Sequence, residues 1–111
     1  MAFKSKAVSS ISNSSGSPTT VSDTVSASTT HVIVGLTVSN KSASNITATV
    51  TFTKNGGSAI HLVKDAPIAV GGTLVLIGGD QKLVAEEGDL LKAYASAATA
   101  GDVILSYLIG D

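Results

Sequence analysis

The sequence predicts an all-β fold: an antiparallel β-sandwich, jelly-roll-like, of eight to nine short strands in a single domain spanning residues 1–111. Three observations lead there. Ile46 to Lys54 reads I-T-A-T-V-T-F-T-K, so Ile46, Ala48, Val50 and Phe52 share one face and four threonines share the other. That period of two defines a strand with one buried and one wetted side. Similar segments recur along the chain, separated by turn signals every 8 to 12 residues or so, the spacing of a sandwich. Finally, Pro67 interrupts an otherwise strand-like stretch. Proline cannot donate to a ladder, so it marks an edge or a crossover between sheets, as a jelly roll requires.

Taken in order, Phe3 to Ile11 predicts a first strand anchored by Phe3 and Ile11, with residues 1–18 a candidate N-terminal arm plus loop. Ser12 to Pro18 carries the Ser/Asn/Gly/Pro composition of a loop. Thr19 to Val25 predicts a second strand, and Ser26 to Thr30 a polar connection. His31 to Asn40 is the longest strand, with Val32, Val34, Leu36 and Val38 expected inward and His31, Ile33, Thr37 and Ser39 outward. After the Ile46 strand, Asn55-Gly56-Gly57 predicts a type I′ hairpin, which needs positive φ at both central positions. The return strand Ala59 to Lys64 is expected to bury Ile60 and Leu62. Thr73 to Ile77, Lys82 to Ala85, Leu90 to Ser96 and Asp102 to Ile109 complete the set. Ala93 to Ala100 has helix-forming composition but no apolar stripe, and it lies between alternating segments, so no helix is expected there: the strand ends at Ser96 and the small residues Ala97 to Gly101 join it to the next. The expected core adds Val50, Phe52, Leu62, Leu74, Leu76, Leu90 and Leu105 to the inner row of the His31 strand.

Composition narrows function. The chain has no Cys and no Trp, and its aromatics are Phe3, Phe52, Tyr94 and Tyr107. Seven basic and eight acidic residues give a net charge of −1, with no basic stripe to track nucleic acid. Charged residues are only 14% of the chain, against about 25% in typical soluble domains. Serine and threonine, about a quarter of all residues, supply polarity instead. This neutral composition suits contact with other subunits. Apolar runs fall far short of the roughly 20 residues of a membrane span, and Lys4 and Lys6 are not followed by a signal-peptide core. The sequons at Asn13, Asn40 and Asn45 read as chance matches in a Ser/Thr-rich chain.

No motif carries chemistry. His31 and His61 read as exposed strand histidines, without the third ligand a metal site needs. Asp23, Asp65, Asp80, Glu86, Glu87, Asp89, Asp102 and Asp111 are the carboxylates. Glu86, Glu87 and Asp89 cluster, but without calcium-loop spacing, and read as a solvated turn. Gly71-Gly72 and Gly78-Gly79 lack the following helix and Gly-Lys-Ser/Thr of a phosphate loop. No Gly-x-Ser-x-Gly elbow occurs. The expectation is therefore a non-enzymatic protein with no catalytic, cofactor-binding or metal-binding residues, no cofactor, and neither nucleic acid nor membrane as a partner.

Several segments together carry a resemblance: the opening M-A-F-K-S-K, V-I-V-G-L-T-V-S-N, L-V-K-D-A-P-I-A-V-G-G, L-V-L-I-G-G-D-Q-K-L-V, E-E-G-D, and the closing S-A-A-T-A-G-D-V-I-L-S-Y-L-I-G. In these the chain resembles small β-sandwich virion structural proteins of tailed bacteriophages, of the cyanophage and marine-phage type. Residues 12 to 30 match least. The resemblance implies a module docked on the particle, in many copies or as a homo-oligomer with a trimer favoured, assembled in the host bacterial cytoplasm and located in the virion. Its partners would be the major capsid protein or other virion proteins. The role it implies first is capsid decoration, a cement protein clamping neighbouring capsid subunits. A tail, collar or baseplate accessory, or a fibre-attachment protein, is the alternative. A host-surface carbohydrate-binding module using Tyr94 and Tyr107 is a third. No catalytic residue is carried over. Gly71, Gly72, Gly78, Gly79, Gly88 and Asp89 fall on the shared turns and read as scaffold.

Overall fold

Strand pairing in this chain is nested. The computed structural model describes residues 2–78 and 81–110. Its strands are β1 (Ala2–Val8), β2 (Thr19–Thr20), β3 (Thr30–Asn40), β4 (Ile46–Thr53), β5 (Ala59–Ile68), β6 (Thr73–Ile77), β7 (Leu83–Ala85), β8 (Leu90–Ala95) and β9 (Gly101–Gly110). β4 pairs β5, β3 pairs both β6 and β7, β2 pairs β8, and β1 pairs β9, all antiparallel. If β6 and β7 count as one interrupted strand, this is a long hairpin rolled on itself. The roll forms two sheets, β1-β9-β3-β6 with β7 also on β3, and β2-β8-β4-β5. An eight-strand double sheet of this winding is a jelly roll. The chain changes sheet just after Pro67, between β5 and β6. Residues 2–8, part of the candidate arm and loop of residues 1–18, form an edge strand on β9 of the same chain. The second strand is shorter than expected, Thr19–Thr20 alone. Gly79, Asp80 and Asp111 lie outside the described residues.

The core lies between the sheets and is aliphatic. Ile11, Leu36, Val38, Val50, Leu91, Val103 and Leu105 are fully enclosed, and Ala48, Ala93 and Ala95 let the sheets approach closely. Several expectations about its lining need correction. β3 pairs Ile33 with Tyr107 but Gly35 with Ser106, leaving Val34 as an extra residue. A bulge shifts the strand's phase by one. The buried row is therefore His31, Ile33, Leu36, Val38 and Asn40, while Val32 and Val34 are only half-buried. β5 carries two register shifts against β4, around Leu62 and around Lys64-Asp65; Leu62 is left without a partner and is exposed, and Ile60, opposite Phe52 on the edge strand, is exposed as well. Thr49, on the outer side of β4, is buried because it caps the second bulge: the Asp65 N–H donates to Thr49 Oγ1 at 3.0 Å. In β8 it is Leu91, not Leu90, that faces in. Phe52, Leu74 and Leu76 pack against the core but remain partly exposed. Phe3 is 78% exposed and anchors nothing, whereas Ile11 is buried and its N–H binds the Gly101 carbonyl at 2.9 Å.

The Asn-Gly turn also differs from expectation. Gly57 N–H binds Lys54 O at 2.8 Å, and only Gly56 has positive φ (+78°). Negative then positive φ is the sign pattern of a type II turn, set within a longer loop between Thr53 and its partner Ala59. The reason is tertiary: the Asn55 N–H is held by Asp89 Oδ1 at 2.9 Å. The turns Ala69–Gly72 and Glu86–Asp89 repeat the same pattern, with glycine at the positive-φ position. Among the described residues there is no helix.

Candidate docking face

Alternation along a strand sends successive side chains to opposite faces. In the first sheet the outward positions of five strands fall into register. One row runs Phe3, Leu108, Val32, Val84. A second runs Ala7, Ile104, Thr37, Val75. Ser5 and Ser106 pair between them. Several of these side chains are open to solvent: Phe3, Val75 at 62%, Ile104 at 55% and Val84 at 49%. Among the described residues, the one charged outward position in these strands is Asp102 at the end of β9, and Lys41 neutralises it at 2.8 Å. The outer face of the second sheet is different. Its outward positions are Thr47 and Thr53 of β4, both half-buried, with Lys92 and Tyr94 from β8 and His61 from β5, while Thr49 and Thr51 are covered. The sandwich thus has one face with exposed charged and polar groups and one nearly uncharged face, on which two apolar rows flank the Ser5–Ser106 pair. Exposed apolar surface of this kind marks interaction sites.

The few charges are spent on holding loops. Asp89 is buried at the β7–β8 turn. Its Oδ2 accepts from Lys54 Nζ at 2.6 Å and from the Glu86 N–H at 2.9 Å, and its Oδ1 from the Asn55 N–H. Burial pushes this carboxyl up, but the hydrogen bonds from Lys54, Glu86 and Asn55 outweigh it, and the net shift is downward. Lys54 also reaches Glu86 at 2.9 Å. The expected solvated turn is therefore a clamp between the β4–β5 and β7–β8 connections. Gly88 is required there by space as well as by its φ of +83°, since a Cβ would lie 2.4 Å from the Asn55 side chain. The clamp floors an open cleft of about 540 Å³, rimmed by Ser28 to Thr30 and Glu87.

A second cluster closes one side of the sandwich. Tyr107 stacks on His31 with ring centroids 4.6 Å apart and donates its hydroxyl to Asp23. Lys6 from β1 binds the other Asp23 oxygen at 2.9 Å. These two hydrogen bonds, Tyr107 first, hold the Asp23 carboxyl below the usual range. Burial and that carboxylate push the Tyr107 phenol up to about 12. His31, expected outside, is buried because the β3 bulge reverses its face. His61 lies on exposed β5, as expected. A third tie joins Asp102 to Lys41 and to the Ser10 N–H, at 2.8 Å each, and these hold its carboxyl low. The histidines and carboxylates are dispersed, and no group of three metal-ligating side chains occurs among the described residues. Among the described residues, no helix is long and apolar enough to cross a membrane. Tyr107 is buried and offers no platform to a sugar; Tyr94 alone of the pair reaches an outer face.

What fold and face define is a jelly-roll β-sandwich that presents one nearly uncharged sheet face. No family model, no curated protein and no solved structure matches the chain.

Proposed function

We propose that this chain is a non-enzymatic virion structural protein of a tailed bacteriophage, a decoration or cement protein that lies on the capsid and clamps neighbouring subunits. The observation that carries the reading is the outer face of the first sheet, where Phe3, Leu108, Val32 and Val84 line up beside Ile104 and Val75. A face of this composition favours apolar and backbone-mediated association over charge steering. The jelly roll supports the reading only in part, because viral capsid proteins, lectin domains and cupins all use it. The resemblance of the sequence segments to phage structural proteins supplies the particle as the setting and the major capsid protein as the partner. It also favours a trimer as the unit that docks.

The test is reconstitution. Particles stripped of this protein are incubated with the parent chain or with Ile104→Lys, and bound copies are counted by quantitative mass spectrometry. The charge at the centre of the face is expected to lower occupancy at least tenfold while the circular dichroism spectrum stays that of the parent. Undiminished occupancy would remove the face as the docking site. Six to a few dozen copies of the parent chain per particle, rather than hundreds, would move the protein to the tail or neck.

A further inference from the structure

A sandwich of two open sheets has four edges, and unpaired edge backbone templates pairing with other chains unless it is blunted. Three edges here are blunted. β2 has two residues. β5 has two register shifts, Pro67, and Lys64 and Asp65. The β6–β7 edge is split into strands of five and three residues. β1 differs: its backbone is regular, and it is guarded only by its two lysines, Lys4 and Lys6. It runs for seven residues without proline or register shift, from Ala2↔Ile109 to Val8↔Val103, and it is almost wholly exposed. Among the described residues its backbone pairs with β9 alone.

The charge pattern of β1 says what fits this edge. Lys4 and Lys6 stand opposite Tyr107 and Leu105 on the inward side, while Phe3 and Ala7 continue the two apolar outer rows and Ser5 the serine pair between them. A second copy does not fit. In a two-fold antiparallel pair centred on Ser5, Lys4 of each copy meets Lys6 of the other. A shift of two residues either way sets Lys4 against Lys4 or Lys6 against Lys6. Like charges directly opposite are destabilising. We infer that the β1 edge is an acceptor for an extended strand of a different protein, one that alternates acidic residues, set beside Lys4 and Lys6, with apolar residues, set beside Phe3, Ser5 and Ala7. Backbone hydrogen bonds would supply affinity and the two lysines selectivity, as in other β-strand additions. Asp23 already engages Lys6, so Lys4 is the main discriminator. The inference rests on the edge itself and not on the virion reading.

The experiment uses the full chain, isotopically labelled, with two short capped peptides: one alternating valine and glutamate, the other alternating valine and lysine. With the glutamate peptide, the amide resonances of Ala2 to Val8 are expected to shift and gain protection from exchange. That peptide is expected to bind about tenfold more tightly than its lysine counterpart. Lys4→Glu, at an exposed position where folding is unaffected, is expected to cut this preference at least threefold. Equal binding of the two peptides, shifts confined to β5 or β6, no binding at all, or an unchanged preference in Lys4→Glu would each overturn the inference. Peptide selectivity in a chain that never joins particles would leave the edge assignment standing and remove the virion reading. Particle attachment without peptide selectivity would do the opposite.

Discussion

Phe3 and Leu108 face each other across the β1–β9 pair on the outside of the sandwich, and they begin an apolar row that Val32 and Val84 extend across the sheet. The exposure of the Phe3 ring means that folding gains little from it. Phe3→Ser is expected to change the urea midpoint by the equivalent of about 0.5 kcal/mol or less, while occupancy on particles falls several-fold. A loss of about 2 kcal/mol in stability would show that the ring is structural.

Asp89 ties two connections together through one buried carboxylate. Asp89→Ala strands the N–H groups of Asn55 and Glu86 and releases Lys54. The expected loss is about 2–4 kcal/mol in equilibrium urea unfolding. Asp89→Asn, which keeps an acceptor, is expected to lose less. Equal losses in the two variants would show that the carboxyl's shape matters and its charge does not.

Core packing ranks two apolar truncations. Leu91 is fully enclosed, and Leu91→Ala is expected to cost about 2–5 kcal/mol. Phe52 is partly exposed and sits under the Lys54 ammonium at 5.9 Å. Phe52→Ala is therefore expected to cost less than full burial of a phenylalanine implies, about 1.5–3 kcal/mol. The reverse ranking in denaturation would show that the core is centred elsewhere.

Stability should fall at both ends of the pH scale, for different groups. Asp23, Asp89 and Asp102 are held below their ordinary value of 3.8, so their contribution is complete above that value. It is lost as pH falls through the lower folded-state values. Tyr107 is raised from 10.0 to about 12, so its contribution is complete below pH 10 and is lost as pH rises towards 12. A shift of that size corresponds to up to roughly 2–3 kcal/mol. Thermal melts of Tyr107→Phe are expected to show a smaller alkaline loss between pH 10 and 12 than the parent, the remainder belonging to Lys54, which Asp89 and Glu86 hold above its ordinary value. Identical alkaline profiles would assign the loss to other groups.

Much of the fold was legible in the sequence, because alternation in residues 46–53 and turn residues at regular spacing leave few alternatives to an antiparallel sandwich. Thr73–Ile77 falls within its expected bounds. The faces of β3 and β5 were harder to read, because a bulge reverses inside and outside without disturbing composition. Gly35, alone inside an apolar strand, was the local sign of the first bulge. Nothing comparable marks the shifts in β5. The Asp89 clamp and the Tyr107–Asp23 bond join segments 34 and 84 positions apart in sequence, so no local pattern announces them. The apolar outer face was equally hidden, since it is assembled from β1, β3, β6, β7 and β9 and exists only once register is known.

Apolar docking predicts a weak dependence on salt. Attachment to particles is expected to persist when ionic strength is raised well above physiological, where screening shortens the Debye length to about 3 Å at 1 M. Release at modest salt would show a charged interface instead.

Whether the chain docks on the capsid is decided by counting it in purified phage particles, by quantitative mass spectrometry against the major capsid protein. A capsid decoration protein is expected at hundreds of copies per particle, falling at least tenfold when Ile104→Lys replaces the parent chain. Absence of the chain from the particles would contradict docking on the capsid.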